Sequence, residues 1–206
     1  MDFEQFIKEA AALLDLQWRR FKKGGIKRRV ERRITELGLP TFEDYPEAVF
    51  LTYPDAEILF NEESSLAVCD VIREHMPDII VTHWNGSWHK DHQNCHLIVH
   101  DAIFYAALGT LERKLPPHSA GRTYYADNWE DASNFVPDTY IDIEAVYEKW
   151  IEACDFYPMW RGQTGFFRYN DYYSSLAVMR GCVSNFKRAV ALMSDASQRV
   201  QRLPSL

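Results

Sequence analysis

An α/β fold with a mostly parallel sheet flanked by helices is what the periodicities of this chain predict. Two observations carry that reading. Apolar residues recur with helical spacing in some segments and form short, β-branched runs in others, and the two kinds alternate along the chain. A strand, a helix and a second strand also follow one another directly, which is a βαβ unit and implies a parallel sheet. The length of 206 residues, 47% of them apolar and 14% aromatic, fits one domain with a sizeable core, so residues 1–206 are read as a single α/β domain.

The elements follow in order. "DFEQFIKEAAALLDLQWRRFKK" has helical spacing at Phe3, Phe6, Ile7, Ala10, Leu13, Leu14 and Trp18, and Gly24-Gly25 ends it. "IKRRVERRITELG" is a second helix, stopped by Gly38 and Pro40. "EAVFLTY" (47–53) reads as a buried strand, "EESSLAVCDVIREHM" (62–76) as a helix and "PDIIVTHW" (77–84) as the next strand. Asp91 can cap a long helix, "HQNCHLIVHDAIFYAALGTLERK" (92–114), and "RTYYADN" (122–128) and "TYIDI" (139–143) read as strands. "EAVYEKWIEACDFY" (144–157) and "DYYSSLAVMRGCVSNFKRAVALM" (171–193) close the pattern as helices.

Composition narrows the function. A formal charge of -7 disfavours nucleic acid and anionic membrane as partners, and no apolar run is long enough to span a bilayer. The basic stretch "WRRFKKGGIKRRVERR" (18–33) is a local exception, read as the solvated face of a helix pair, with an anion-binding role as the alternative. Cys69, Cys95, Cys154 and Cys182 are scattered without a CxxC, and Glu4, Lys8 and Glu9 interrupt the first apolar segment, which is therefore no signal peptide. Free thiols and a reducing, cytoplasmic compartment are expected.

The chemistry concentrates in "THWNGSWHKDHQNCH" (82–96), which holds four of the seven histidines. It runs off the C-terminal end of a strand into a helix N-terminus, where open α/β sheets bind ligands. His89, Asp91 and His92 form H-x-D-H, which brings two imidazoles together with a carboxylate and suits metal binding joined to acid/base work. His92, His96 and His100 recur every four residues on one helix face, a spacing that can bind zinc when a third ligand joins. His96 and His100 are nevertheless read as a polar helix face turned away from the strand ends, and His75 and His118 as isolated loop residues.

Four stretches, "ELGLPTFEDYPEAVFLTYPDAEIL", "VIREHMPDIIVTHWNGSWHKDH", "FVPDTYIDI" and "DYYSSLAVMRG", occur in an order that resembles the PIG-L/LmbE family of N-acetylglucosamine deacetylases. The resemblance covers about residues 26–195, with the N-terminal helix in 1–25 outside it. Its most specific part is T-H followed by H-x-D-H. It implies a Rossmann-like fold and hydrolysis of an N-acyl group, usually acetyl, from an amino sugar or sugar conjugate with a divalent metal, typically Zn2+. By the same resemblance His92 would be a metal ligand, and His89 the acid that serves the tetrahedral intermediate or the leaving amine. Asp91 would orient His89, and His83 would line the pocket with Trp84, Asn85 and Trp88.

The chain departs from the family in one large way. The signature A-H-P-D-D-E, which supplies two metal ligands and the general base, does not occur in it. "TYPDAE" (52–57) has Tyr53 for the His and lacks one Asp, and it is read as a turn of the F-P-D-G type, with Asp55 or Glu57 as candidates to replace the base. A family S-Q is also not evident near "FYPMWRGQ". The N-terminal strand element is therefore expected to be missing or replaced, leaving a sheet edge that a second copy or a partner chain could complete. The alternative to a hydrolase is a catalytically incomplete homologue that binds a sugar conjugate or serves in assembly.

Overall fold

The computed structural model describes residues 49, 51, 53–131 and 133–198. The helices expected over 2–23 and 26–38 lie outside the described residues, and so does most of the strand expected at 47–53. Helix α1 (Glu62–His75) starts where Asn61 and Ser64 cap each other: the Ser64 amide donates to Asn61 Oδ1 at 2.9 Å and the Asn61 amide to Ser64 Oγ at 3.1 Å. It ends at Met76, whose φ of 45° lies in the left-handed region, immediately before Pro77.

Strand β1 (Ile79–Thr82) then leads through helix α2 (Lys90–Ala107) to strand β2 (Arg122–Ala126), which pairs with β1 in parallel, Ile80 opposite Thr123. Helix α2 starts earlier and stops sooner than its sequence suggests, at Leu108 ahead of Gly109. Strand β3 (Thr139–Asp142), a 3-10 turn at Glu144–Val146, helix α3 (Tyr147–Cys154) and helix α4 (Tyr169–Ser184) follow.

Two expectations fail at the end of the chain. The last helix does not reach residue 193: it ends at Asn185, with φ of 61°, and Ala189–Ser194 forms strand β4. "AVALM" is a short apolar run, and periodicity cannot tell such a run from a buried helical segment. That strand also overturns the mostly parallel sheet. Among the described strands the order is β1-β2-β4-β3, and β4 runs antiparallel to both neighbours, which leaves the β1–β2 pair as the parallel one.

The pairing register sorts the two faces. Ile80, Thr123, Tyr125, Met193, Ala191 and Ala189 share one face, because partners across a ladder and residues two apart point the same way. Ile80 packs there against a cluster of Cys69, Ile72, Ala102 and Ala106 formed between α1 and α2. Val190 points to the other face, where it meets Ile143, Tyr147 and Ala177 of the α3/α4 side. Among the described strands β1 is at one margin, and its residues on that second face, Ile79 and Val81, are 57% and 53% exposed.

Arg73 fastens α1 to the end of α2. The guanidinium is buried and donates to the carbonyls of Leu108 at 2.8 Å, Leu115 at 2.9 Å and Tyr105 at 3.1 Å. These include carbonyl groups that a helix C-terminus leaves without intrahelical partners, and a cation is favoured there by the helix dipole. Arg73→Ala takes the donor from the Leu115 carbonyl and leaves the Tyr105 and Leu108 carbonyls only the Leu108 and Leu111 amides, so it is expected to cost about 1 to 3 kcal/mol in urea unfolding. A loss below about 0.5 kcal/mol would show that water replaces the guanidinium freely.

Candidate active site

The site is built from two loops at the C-terminal ends of the parallel strands β1 and β2. Residues 83–89 leave β1 and residues 127–133 leave β2, and the two are pinned together. Ser87 and Asp131 form an isolated antiparallel bridge, and the Trp88 amide donates to the Glu130 carbonyl at 3.0 Å. The Trp84 indole donates to the Ser133 carbonyl at 2.9 Å. Gly86 sits so close to this clasp that a Cβ would come within 2.1 Å of the Ser133 carbonyl oxygen, so a side chain at 86 would push the loops apart.

Three imidazoles meet above the clasp. His92 stacks between His83, at 3.9 Å between ring centroids and 8° between planes, and His89, at 4.6 Å and 26°. His83 comes from the end of β1, whereas His89 and His92 come from the start of α2. His89 is the cap of that helix: its Nδ1 accepts the Asp91 amide at 3.2 Å. The cap expected of Asp91 is thus supplied by His89. Because Nδ1 accepts, the proton of neutral His89 belongs on Nε2, free to be donated.

Asp91 is buried, and its carboxylate turns to the 53–57 segment rather than to the His89 ring: Oδ2 accepts the Ala56 amide at 2.6 Å. Asp91 Oδ1 is buried without a hydrogen-bond partner. Pro54 to Glu57 form the turn read from the sequence, closed by the Glu57 amide on the Pro54 carbonyl at 3.1 Å, and Ala56 takes a φ of 66° there. This turn lies against the site, close enough for the Asp55 charge to favour the protonated form of His92.

The residue that sequence reasoning missed is Glu130. Its Oε2, buried and without a hydrogen-bond partner, comes within 2.9 Å of His92 Nδ1, which faces Ser87 Oγ at 3.2 Å and Asn128 Nδ2 at 3.4 Å. Burial pushes His92 down to about 4, helped by His83 and His89, and burial also raises the Glu130 carboxyl. Both shifts disfavour charge, and the approach is a close contact of two buried polar groups rather than a fully separated ion pair. In the tautomer that places the proton on Nδ1, His92 Nε2 keeps its lone pair. The available signal was "DNWED" directly after β2, an acidic cluster at the C-terminal end of a parallel strand. Asp131, in the same cluster, is pushed up to about 6 by burial.

The remaining expected residues spread out. Asn85 is in an exposed turn, and Trp88 stands beside His89 with 57% of its surface exposed. His96 is buried, its Nδ1 on the His83 carbonyl at 3.1 Å and its ring against Trp84 and Tyr125. His96 and His100 line a separate cavity of about 280 Å3 with Tyr125 and Asp195, whose side chains hydrogen-bond each other. His118 Nε2 faces the Pro77 carbonyl at 2.9 Å, far along the chain from the site.

A divalent metal does not fit the described residues. Zinc lies in the plane of an imidazole, about 2.0–2.1 Å from its nitrogen. Two rings 3.9 Å apart and nearly parallel, as His83 and His92 are, share no such point. Among the described residues no group of three His, Cys, Asp or Glu side chains is arranged to hold a metal ion.

Comparison with known proteins adds the family. The PIG-L model, described as GlcNAc-PI de-N-acetylase, matches residues 14–103, a span that holds T-H and H-x-D-H and begins inside the helix read as lying outside the resemblance. Over those residues the chain is similar to the PIG-L family. Its fold is similar to that of the conserved protein TT1542 from Thermus thermophilus, with a TM-score of 0.66 at 18% identity over 86% of this chain and 75% of that one. It is also similar to the 4-carboxy-2-hydroxymuconate hydratase GalB from Pseudomonas putida, at 0.59 and 18% over 89% and 78%. The N,N'-diacetylchitobiose deacetylase from Pyrococcus horikoshii scores 0.59 at 15% over 82% and 62%. At these identities the structures speak for the fold, which carries a hydratase as well as a deacetylase, and function has to be argued from the site. No helix among the described residues is long and apolar enough to cross a membrane.

Proposed function

We propose that this PIG-L-like chain is a hydrolase that removes an N-acyl group, typically acetyl, from an amino sugar or sugar conjugate bound above His89 and His92. The observation that carries the reading is the close contact of His92 with Glu130 beside a His89 whose Nε2 holds a donatable proton. Amide hydrolysis needs both functions. A base takes a proton from the attacking water as its oxygen bonds to the carbonyl carbon, and an acid gives a proton to the nitrogen as the C–N bond breaks.

His92 Nε2 is the base in this reading, with the Glu130 carboxylate 2.9 Å from Nδ1 placed to stabilise the imidazolium as it forms, and His89 Nε2–H is the acid. A base whose conjugate acid titrates near 4 is neutral, and so able to accept a proton, at neutral pH. His83 and Trp84 wall the pocket, Asn85 and Trp88 edge it, and Asp91 fixes the 53–57 turn beside it. The resemblance implies zinc or another divalent metal, for which the lone pair on His92 Nε2 is one donor. The described residues do not complete a set, and no step is assigned to the metal.

A second reading, a sugar-conjugate-binding or assembly module, is favoured by that incomplete donor set. The discriminating experiment is amine release from N-acetylglucosamine conjugates by the whole chain, with and without added zinc, alongside calorimetric binding of the same conjugates. Release above the uncatalysed rate supports the hydrolase. Binding with no release at any zinc concentration replaces it with the module.

A further inference from the structure

The cavity of about 280 Å3 between α2 and the sheet takes no part in the proposed hydrolysis. Val99, Ile103 and Phe104 give it an apolar lining, and His96 and Asp195 bring hydrogen-bond acceptors to it. His96 is 9% exposed, and its Nδ1 faces the His83 carbonyl at 3.1 Å. A carbonyl oxygen only accepts, so the proton of neutral His96 is on Nδ1 and Nε2 carries the lone pair. Burial favours that neutral ring by pushing its pKa down. Asp195 is the other acceptor. Burial works against its charge, but hydrogen bonds from the Ser197 amide, at 2.9 Å, and from the Ser197 and Tyr125 hydroxyls hold its carboxyl below the ordinary carboxylate range. A carboxylate has about four lone-pair sites, so these three donors do not exhaust it. Among the described residues that line the cavity there is no lysine or arginine to neutralise the charge.

We propose that this cavity is a second binding site, for a small organic cation that carries a primary ammonium group on a short apolar chain or a single ring. The lining selects that chemistry. A carboxylate and a lone pair call for N–H donors, an ammonium group brings three together with a positive charge, and the apolar lining takes the rest of the molecule. An anion would meet Asp195, and a purely apolar molecule would leave both acceptors without donors. The volume lies near the lower end of small-molecule sites, roughly 300 Å3, which limits the occupant to one ring or a few carbons. The carbonyl that holds His96 belongs to His83, which stacks on His92, so one hydrogen bond joins this cavity to the active site. The proposal stands without the hydrolase reading, because His96 and Asp195 have no part in its proton transfers.

The test is binding to the whole chain, followed by ligand NMR, of three probes of similar shape: benzylammonium, benzyl alcohol and benzoate. Benzylammonium is expected to bind about tenfold more tightly than benzyl alcohol, as a charge-assisted hydrogen bond outweighs a neutral one, and benzoate more weakly than either. Asp195→Asn keeps the shape and an oxygen for the Tyr125 hydroxyl, and it should cut the preference to within about twofold. Phe104→Ala, at a position 60% exposed where folding is not endangered, should weaken benzylammonium and benzyl alcohol alike by about fivefold. Glu130→Gln removes the carboxylate that would hold an ammonium group in the active site, and it should leave the preference intact. Equal binding of benzylammonium and benzyl alcohol overturns the proposal, as does a preference that survives Asp195→Asn. A preference lost in Glu130→Gln overturns it as well, since the amine then sits beside His92.

Discussion

His89→Ala is expected to lower amine release from an N-acetyl amino sugar by roughly 2 to 4 orders of magnitude, the usual contribution of a positioned acid or base. The reason is local. The Asp91 amide occupies His89 Nδ1, so the ring has one place for its proton, and that proton points away from the helix it caps. Removing the ring also removes the helix cap, which costs about 1 kcal/mol of stability, so the comparison is His89→Asn, which keeps a capping oxygen and lacks the acid. Both variants should lose turnover, and only His89→Ala should melt earlier. His96→Ala, at a residue satisfied by the His83 carbonyl, should stay within a few-fold of the unmodified chain in rate. Asp91→Asn should fall between them, because it disturbs the 53–57 turn without touching a proton in transit. Unchanged turnover in His89→Asn would end the assignment.

Acid should destabilise the chain through His92, and His92→Asn should weaken the response. The folded value near 4 lies below the ordinary 6.5 of the unfolded chain. The stability tied to a neutral His92 is therefore fully present above about pH 6.5 and is lost as pH falls towards 4, by at most about 3 kcal/mol. Asp131 works in the opposite direction. Its folded value near 6 lies above the ordinary 3.8, so its part is present in acid and lost as pH rises through 6. In the unmodified chain the two oppose each other between pH 4 and 6.5. In His92→Asn the His92 contribution is gone while those of His83, His96, Glu130 and Asp131 remain, and thermal melts at about pH 5 should gain on those at about pH 7 relative to the unmodified chain. Parallel melting curves for the two proteins across that range would mean that His92 is not buried as a neutral imidazole.

How far the sequence could be read depended on the range of the physics involved. H-x-D-H at a strand-to-helix junction is a local pattern, and His83, His89 and His92 do meet there. The strands Ile79–Thr82 and Arg122–Ala126 were visible because β-branched and aromatic runs bounded by turn residues are local too. Glu130 was not visible as a partner of His92, since nothing within a few residues of either says that the two loops close on each other. Strand β4 was hidden for a related reason. "AVALM" has no period of its own, and what makes it a strand is pairing with Thr139–Asp142 and Arg122–Ala126 far away in sequence. The two antiparallel pairings followed that strand and were lost with it.

The Ser87–Asp131 bridge has a consequence for motion. Loops at strand ends usually open and close independently of the sheet below them, and their amides exchange with solvent quickly. Here the Trp88 amide is held by the Glu130 carbonyl and the two loops form a short ladder of their own. Breathing of either loop must therefore lift both, and with them the His92–Glu130 contact. Amide hydrogen exchange at Trp88 should be as slow as in the neighbouring strands, and the lifetime of the closed clasp should set how long the imidazoles stay in register.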